Sequence, residues 1–345
     1  LKDLVIFGIV FMGPLAAMVL FGIMDVSSKG HSVLSYLIAF VAMLFTAHSY
    51  GEMVTAFPIA GSTYSYTQRA VHPKLGFLSG WVMILDYVLI PMLLYLISSS
   101  FANALIPQIP IWAWILIYSI SITIINLIGV EVAAKANFIM TIIMFVAIIS
   151  FVILALKYII TGNVSTGISI ARIYNKDTFS FKALISGSAI AVVSYLGFDA
   201  ITTLSEEVNV EGKKIGLAIM IACLIQTFIY IVVAFLATVI VPDYIKIVNP
   251  DTAFFGIALK VGGNFLQIFI SIAIIIQGIG TSLAGQSAAS RLLYGMGRDK
   301  VIPEKVFAYL HPKFKTPINS ILIMSIIGTA GALILNVTIV SELTA

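Results

Sequence analysis

Two acidic residues of this chain stand in long apolar stretches that carry no other charge. Asp86 is the only charged residue between Lys74 and Glu131. Asp199 is likewise the only charged residue in the run 183–205. A carboxylate near the middle of a membrane-spanning helix costs about 2.5–3.5 kcal/mol on insertion scales, so it normally faces a cavity, a partner or a substrate. We therefore expect both carboxylates to line a polar pathway through a membrane protein.

The elements that must position these carboxylates are apolar segments of membrane-spanning length. Hydrophobic residues make up 60% of the chain and charged residues 10%, whereas an ordinary soluble domain has about 25% charged residues. Nine segments are long enough to be helices that cross a bilayer, which takes about 20 residues. They are residues 4–24, 33–50, 75–104, 111–130, 136–156, 183–205, 215–240, 261–290 and 318–337. The sequence therefore predicts an all-α membrane protein in which residues 1–345 form a single transmembrane domain.

The distribution of lysine and arginine predicts the orientation of the chain. With the N-terminus inside, twelve of these residues fall on the cytoplasmic side and seven fall outside, which the positive-inside rule favours. We expect a multi-pass protein of the cytoplasmic membrane with a cytoplasmic N-terminus. Its net charge of +4 then reflects topology and indicates no nucleic-acid partner. The chain ends eight residues after the ninth segment, so we expect a longer protein truncated after its ninth transmembrane helix.

Cysteine and histidine give no sign of a metal or redox site. With Cys223 as the single cysteine, the chain has no intramolecular disulfide. The four histidines lie far apart and lack the spacing of metal ligands. We therefore expect no metal and no cofactor, while the oligomeric state is left open by the sequence.

Two of the apolar segments are interrupted by residues that disfavour a continuous helix. Gly13-Pro14 interrupts the first segment, and the small residues of Ser194–Gly197 interrupt the sixth. A pair of broken helices at corresponding positions of two halves is typical of a transporter with inverted repeats and a binding site between them. We expect both segments to be unwound, at Gly13–Ala16 and at Ser194–Gly197, around one pocket of a five-plus-five inverted-repeat transporter fold. At Gly13-Pro14 an ordinary proline kink is the alternative.

Broken helices present backbone groups that bind charged ligands. Amides at half-helix N-termini attract an anionic group, and freed carbonyls attract a cation. Beside the second break, Asp199 can contact a cationic group, titrate during transport, or stay neutral and hydrogen-bond the backbone. Asp86, which is followed by Tyr87, either lines the pocket or braces a neighbouring helix. These residues favour a substrate that bears at least one ammonium group.

Three motifs in the chain carry a family resemblance. They are FPIAGSTYSY at 57–66 with GFLSGW at 76–81, SYLGFD at 194–199 with SEE at 205–207, and SRLLYGMGRD at 290–299. In this order and spacing, the motifs resemble those of the amino acid–polyamine–organocation superfamily. Within it, LDY at 85–87 and GFDAITTLSEE at 197–207 are most similar to bacterial putrescine importers and related amino acid permeases.

The resemblance implies secondary active uptake driven by the proton-motive force, with the inverted-repeat fold and alternating access around the broken helices. It also implies pocket-facing positions for Asp86, Tyr87, Ser194, Tyr195, Phe198 and Asp199. Together with the residues of the two breaks, the expected substrate-binding set is Gly13, Pro14, Leu15, Ala16, Asp86, Tyr87, Ser194, Tyr195, Gly197, Phe198 and Asp199.

Three features depart from the pattern of the resembled family. Some putrescine importers carry an aspartate after the first break, where residues 18–21 of this chain are apolar. One ammonium group is therefore sufficient, and a zwitterionic amino acid is compatible with the site. Some proton-coupled permeases place a lysine midway along the fifth helix, where this chain has Met144. The proline usual after the paired glutamates is absent at 208–212.

Coupling and gating residues are expected beyond the second break and in the eighth segment. Glu206 and Glu207 close the sixth helix on the cytoplasmic side as a solvated charge cluster or an inner gate. Thr281 and Ser282 can coordinate sodium, although hydroxyls in membrane helices often bond their own backbone. With Asp199 as the titrating candidate, the coupling ion is a proton or sodium.

The function that the sequence predicts is secondary active import of an amino acid or polyamine, with the lipid bilayer and a small amine-bearing substrate as partners. An exchanger of the same fold is the alternative, and a channel, a transport-dead sensor or an intramembrane aspartyl enzyme would be of another class. The enzyme needs Asp86 and Asp199 within a few ångströms, and the Gly-x-Gly-Asp and Tyr-Asp patterns of such enzymes are absent. No ATP-binding P-loop occurs. We therefore expect a transporter and no enzyme.

Overall fold

The structure, a computed structural model, describes residues 1–57, 62–128, 131–164, 169, 173–203, 211–298, 300–314 and 316–344. The elements in this part of the chain are helical. They are α1 (Lys2–Met12), α2 (Ala16–Ser27), α3 (Ser32–Ala56), α4 (Ser62–Ala70), α5 (Pro73–Leu105), α6 (Ile111–Ile128), α7 (Glu131–Ile160), α8 (Phe181–Val193), α9 (Ala200–Thr203), α10 (Gly212–Ile240), α11 (Ala253–Arg298), α12 (Glu304–Phe307), α13 (Ile318–Ile334) and α14 (Val337–Thr344). Two 3₁₀ turns, Tyr244–Lys246 and Pro250–Thr252, lie between α10 and α11.

Each of the nine apolar segments coincides with helical residues. The segment 4–24 is divided between α1 and α2, and 183–205 between α8 and α9. The segment 318–337 holds α13 and the first residue of α14, and 261–290 begins at a kink of α11, where Gly263 has non-helical backbone angles. Among the described residues, six helices are long and apolar enough to cross a membrane by length and composition. The predicted segments were bounded at charged residues. Several helices continue past those charges, because Lys, Glu and Arg are good helix formers at exposed ends.

The described residues form two compact units. The first comprises residues 1–58 and 141–274, and the second comprises residues 59–140 and 275–344. The single domain expected from the sequence stays a prediction, and each unit is described by itself below. The chain passes from the first unit to the second within α11.

The first unit is built on close contact between α3 and α10, with α1 against α10 and α2 against α8. Small residues permit this contact, because a Cβ built on Gly51 of α3 would lie 3.0 Å from the Cα of Gly216 of α10. Between lipid-exposed helices the association depends on such close packing more than on the hydrophobic effect. Glycines at the interface therefore set the spacing of the two helices that support the broken segments.

The second unit is organised around the long helix α5, which packs against α4, α6, α13 and α14. Pro91 lies inside α5, and a Cβ built on Gly285 of α11 would lie 3.3 Å from its ring. Polar side chains join the other helices: the Asn126 amide donates to Gln286 Oε1 at 2.6 Å. Such hydrogen bonds between membrane helices contribute about 0.6–2 kcal/mol each.

Candidate functional site

The first break separates α1 from α2 by three residues. Gly13 has a φ of 73°, in the left-handed region that favours glycine, and Pro14 has no backbone N–H to donate. Ala16, the first residue of α2, donates its N–H to the Gly13 carbonyl at 3.0 Å. Residues 12–15 are buried. The expected interruption at Gly13–Ala16 is confirmed as a break of the helix rather than an ordinary proline kink, with Ala16 already helical.

The second break separates α8 from α9 by residues 194–199. Its backbone follows short turns, in which Tyr195 and Phe198 donate to the carbonyls three residues earlier at 2.9 and 3.2 Å. Gly197 has a φ of 96°, which redirects the chain before α9 begins at Ala200. The expected unwinding at Ser194–Gly197 is confirmed, and it extends two residues further.

The second break packs against the last turn of α1, next to the first break, within the first unit. A Cβ built on Gly197 would lie 2.9 Å from the Phe11 carbonyl oxygen and 3.2 Å from its carbon. A side chain at position 197 would therefore push the second break away from the end of α1. We call residues 12–15 and 194–199 together the break centre.

A tyrosine from α10 joins the two halves of the break centre. The Tyr230 hydroxyl lies 2.6 Å from the carbonyl oxygen of Ser194 and 3.2 Å from the carbonyl oxygens of both Met12 and Gly13. It also accepts a hydrogen bond from the Gln226 amide at 2.8 Å. A hydroxyl has one proton to donate, so the three converging carbonyls share it, and the Gly13 carbonyl also accepts the Ala16 N–H.

The helix ends around this point have a defined polarity. The C-terminal ends of α1 and α8 and the N-terminal end of α2 lie at the breaks. Helix C-termini carry partial negative charge and helix N-termini carry partial positive charge. The break centre therefore offers a carbonyl-rich side that suits an ammonium group and, at the start of α2, amide groups that suit a carboxylate.

Aromatic side chains enclose the break centre. The Tyr36 hydroxyl of α3 lies 3.0 Å from Ser194 Oγ, and the Tyr195 hydroxyl lies 2.8 Å from Thr227 Oγ1 of α10. The ring of Tyr230 packs against the rings of both Tyr36 and Tyr195, with centroids 5.3 and 5.5 Å apart. Each hydroxyl is thus held by a polar partner in an apolar surrounding, which fixes the aromatic rings.

Two of the expected pocket residues, Phe198 and Asp199, are the last two residues of the second break. The Phe198 ring meets Tyr50 of α3 edge to face at 4.9 Å, and it is almost fully buried. Asp199 is half-buried, and its carbonyl accepts from the N–H and the hydroxyl of Thr202 at 2.9 and 2.6 Å. The backbone of Asp199 therefore supports the start of α9, directly after the second break.

The remaining expected site residues lie elsewhere. Asp86 and Tyr87 are half-buried on α5 of the second unit. Thr281 and Ser282 lie on the part of α11 that belongs to the second unit, where Ser282 is fully buried. Their roles in substrate binding and sodium coordination stay predictions.

Glu206 and Glu207 fall outside the described residues, so their gating role also stays a prediction. Within the described residues, no group of three or more His, Cys, Asp or Glu side chains is arranged to hold a metal ion.

Two structurally prominent residues were missed by the sequence reasoning. Tyr230 is one of several tyrosines in the apolar segments, and no neighbouring residue in the sequence indicates that it contacts both breaks. Asp25 was treated as the charge that ends the first segment, yet it is only 1% exposed. A signal for Asp25 was its position within one helical turn of the apolar run, where an acid is costly.

Comparison with known proteins identifies the family. The model of the family described as "Amino acid permease" matches residues 8–342. The low-affinity putrescine importer PlaP of Escherichia coli is 31% identical over 328 residues, which cover 95% of this chain and 73% of that protein. A methylthioribose transporter of Bacillus subtilis is 29% identical over 355 residues, with the same two coverages.

The fold is also shared with a solved transporter. Mhp1, a nucleobase-cation-symport-1 family transporter in a closed conformation with bromovinylhydantoin bound, aligns with a TM-score of 0.64 over 98% of this chain and 74% of its own. At 12% identity the likeness concerns the fold, which is the inverted-repeat transporter fold with broken first and sixth helices. The relatives are transporters, so the alternative of an intramembrane aspartyl enzyme is wrong. The chain belongs to the amino acid permease family, as a multi-pass integral membrane protein that acts as a secondary transporter and not as an enzyme.

Proposed function

We propose that this transporter imports an amino acid or polyamine with at least one ammonium group, by alternating access around the break centre. Import is into the cytoplasm across the inner membrane, with the N-terminus on the cytoplasmic side. The substrate meets backbone groups of both breaks together with Asp199, and the substrate-binding roles of Asp86 and Tyr87 stay predictions.

The observation that carries this proposal is the convergence of three carbonyl oxygens at the break centre. The carbonyls of Met12, Gly13 and Ser194 share the single proton of the Tyr230 hydroxyl. Three carbonyl oxygens that converge in a buried surrounding around a single hydroxyl proton favour a cationic group nearby. A half-buried carboxylate, Asp199, follows the same break. Positive charge on the substrate is therefore the property that this centre selects.

The relatives support the substrate class in part. Putrescine, named for the relative PlaP, is a diamine, whereas methylthioribose, named for the second relative, has no amine. The apolar residues 18–21 after the first break supply no further carboxylate beside Asp199. One ammonium group then suffices, and a substrate carboxylate is bound by amides at the start of α2.

The test is uptake of radiolabelled putrescine, arginine and leucine into liposomes that contain the purified transporter, with unlabelled competitors. We expect amines and amino acids to compete, and succinate, glucose and methylthioribose to have no effect. Strong competition by methylthioribose or succinate would contradict selection by an ammonium group. Uptake that never exceeds the external concentration under an imposed ion gradient would indicate a channel instead, and uptake only against internal substrate would indicate an exchanger.

The carboxylate is tested with Asp199→Asn, and Asp243→Asn is the matched control because Asp243 is an exposed acid paired with Lys246 at 3.4 Å. We expect Asp199→Asn to insert and fold normally and to lose at least ten-fold in uptake, since it removes the charge without changing the shape. The control should transport like the original protein. Unchanged uptake by Asp199→Asn between pH 5 and 8 would exclude this role of Asp199.

A further inference from the structure

A buried carboxylate lies at the end of α2 opposite the break. Asp25 is 1% exposed, and one of its oxygens, Oδ1, accepts a hydrogen bond from the Ser32 hydroxyl of α3. The other oxygen, Oδ2, is buried and has no hydrogen-bond partner in the described part of the protein. A buried ionised carboxylate with one unpartnered oxygen is costly. Something must offset its charge.

The residues that follow Asp25 pack tightly against α8. A Cβ built on Gly187 of α8 would lie 2.6 Å from Ser28 Cβ and 2.7 Å from Ser35 Oγ. The Ser28 hydroxyl donates to the Asp25 backbone carbonyl at 3.4 Å, and Ser35 Oγ is buried without a hydrogen-bond partner in the described residues. The chain that joins α2 to α3 is therefore held against α8.

No cationic side chain offsets the Asp25 charge through a contact that the described residues show. The elements packed against α2 are α3, α8, α10 and the two 3₁₀ turns. Their titratable groups are Tyr36, His48, Tyr50, Glu52, Lys182, Lys213, Lys214, Cys223, Tyr230, Tyr244, Lys246 and Asp251, and Lys29 and His31 lie between α2 and α3. Lys29, four residues after Asp25, is exposed. His31 directs Nδ1 to the Ser28 carbonyl at 3.0 Å and Nε2 to the backbone of Asn175 at 3.3 Å.

The helix that carries Asp25 adds to the cost of a negative charge. Asp25 lies in the last turn of α2, where the carbonyl end of the helix carries partial negative charge. Cations and neutral groups are favoured at this end, and anions are disfavoured. Protonation of the carboxyl group removes both the desolvation cost and this repulsion.

We propose that Asp25 is a proton-binding residue of the transporter, which holds a proton while α2, α3 and α8 are packed as in this structure and releases it to water when they separate. This inference rests on the proposed function for its role in transport. The first break forms the other end of α2, so one half-helix about 18 Å long, at 1.5 Å per residue, connects the break centre to Asp25. Movement of α2 on substrate binding would change the surroundings of the carboxyl group.

The direct test is the infrared spectrum of the purified protein in lipid, recorded from pH 4 to pH 9. We expect a carboxylic acid C=O band that persists at neutral pH, disappears in Asp25→Asn, and remains in the control Asp243→Asn. Ser32→Ala keeps the acid and removes its hydrogen-bond donor, so the pH at which the band disappears should rise. Absence of the band from the unsubstituted protein at neutral pH, or an unchanged transition in Ser32→Ala, would overturn the proposal. The Ser32→Ala measurement decides the matter even where Asp25→Asn fails to fold.

The role in coupling is tested in liposomes with labelled putrescine. Coupling is measured as the ratio of uptake driven by a pH gradient to uptake by counterflow. In Asp25→Asn, this ratio should fall to the value measured without a gradient. An unchanged ratio would exclude Asp25 from coupling. Failure of the unsubstituted protein to transport putrescine, arginine or leucine would instead contradict the proposed function, and the infrared result would still decide whether Asp25 binds a proton.

Discussion

The two helix breaks of the first unit differ in how their backbone groups are satisfied. The first break is three residues long and has one local hydrogen bond across it, from the Ala16 N–H to the Gly13 carbonyl, while the carbonyls of Met12 and Gly13 both lie near the Tyr230 hydroxyl. The second break is six residues long and forms several short turns, in which Tyr195, Leu196 and Phe198 donate locally. One carbonyl of the second break, that of Ser194, also accepts from Tyr230. Proline at the first break removes a backbone donor, so fewer local donors remain there.

Two helix breaks that look alike in the sequence can therefore be stabilised in different ways. The second break depends on a backbone conformation at Gly197 that leaves room for α1. The first break depends on a side chain, Tyr230, that no local pattern predicts. Substitutions at Gly197 and at Tyr230 should therefore act through different mechanisms and by different amounts.

The largest effect on stability is expected for Gly197→Ala. The residue has a φ of 96°, and an alanine Cβ would lie 2.9 Å from the Phe11 carbonyl oxygen. The conformational cost is about 1–2 kcal/mol for a left-handed residue, and overpacking adds about 1–3 kcal/mol. Thermal unfolding in detergent should show a large loss of stability or a loss of folded protein.

Gly162→Ala is the control for this prediction. Gly162 has a similar positive φ of 78°, and a Cβ there would meet nothing within 4 Å. It should lose only the conformational part, about 1–2 kcal/mol. Equal losses for the two variants would show that contact between the breaks contributes nothing.

A smaller effect is expected for Tyr230→Phe, which removes the hydroxyl shared by the two breaks. The carbonyls of Met12 and Ser194 and the buried Gln226 amide would lose this partner, at about 1–3 kcal/mol for a buried group left without one, while the Gly13 carbonyl keeps the Ala16 N–H. The control is Tyr195→Phe, because Thr227 keeps its hydrogen bond to the Cys223 carbonyl at 2.7 Å. Denaturant unfolding should show that Tyr230→Phe loses more; a larger loss for Tyr195→Phe would contradict the bridging role of Tyr230.

The smallest effect is expected for Tyr36→Phe, which removes the hydrogen bond to Ser194 Oγ at the second break. A single neutral hydrogen bond contributes about 0.5–1.5 kcal/mol, and the turns of this break remain. Ser194→Ala removes the same bond from the other side, so the double variant should lose little more than either single variant. Additive losses would mean that the 3.0 Å contact contributes no stability.

Both breaks were predictable because their causes are local. Gly13-Pro14 removes a helical donor within two residues, and Gly197 adopts a conformation that glycine favours. The burial of Asp25 was not predicted. The segments were bounded at charged residues, so an acid at the end of a segment was taken to be exposed to solvent. Its burial depends on the elements that pack against α2, which are α3, α8, α10 and the two 3₁₀ turns, and these come together only in the folded protein.

The amino-acid sequence by itself determined the membrane-spanning segments, the positions of the two breaks and the family, because these follow from hydropathy, local backbone chemistry and motif spacing. Only the tertiary structure decided that Gly197 of the second break packs against Phe11 at the end of α1 and that Tyr230 joins the two breaks. It also decided that Asp25 is enclosed. The physical reason is that hydrogen bonding and desolvation depend on which helices pack together, and residues far apart in the chain meet there.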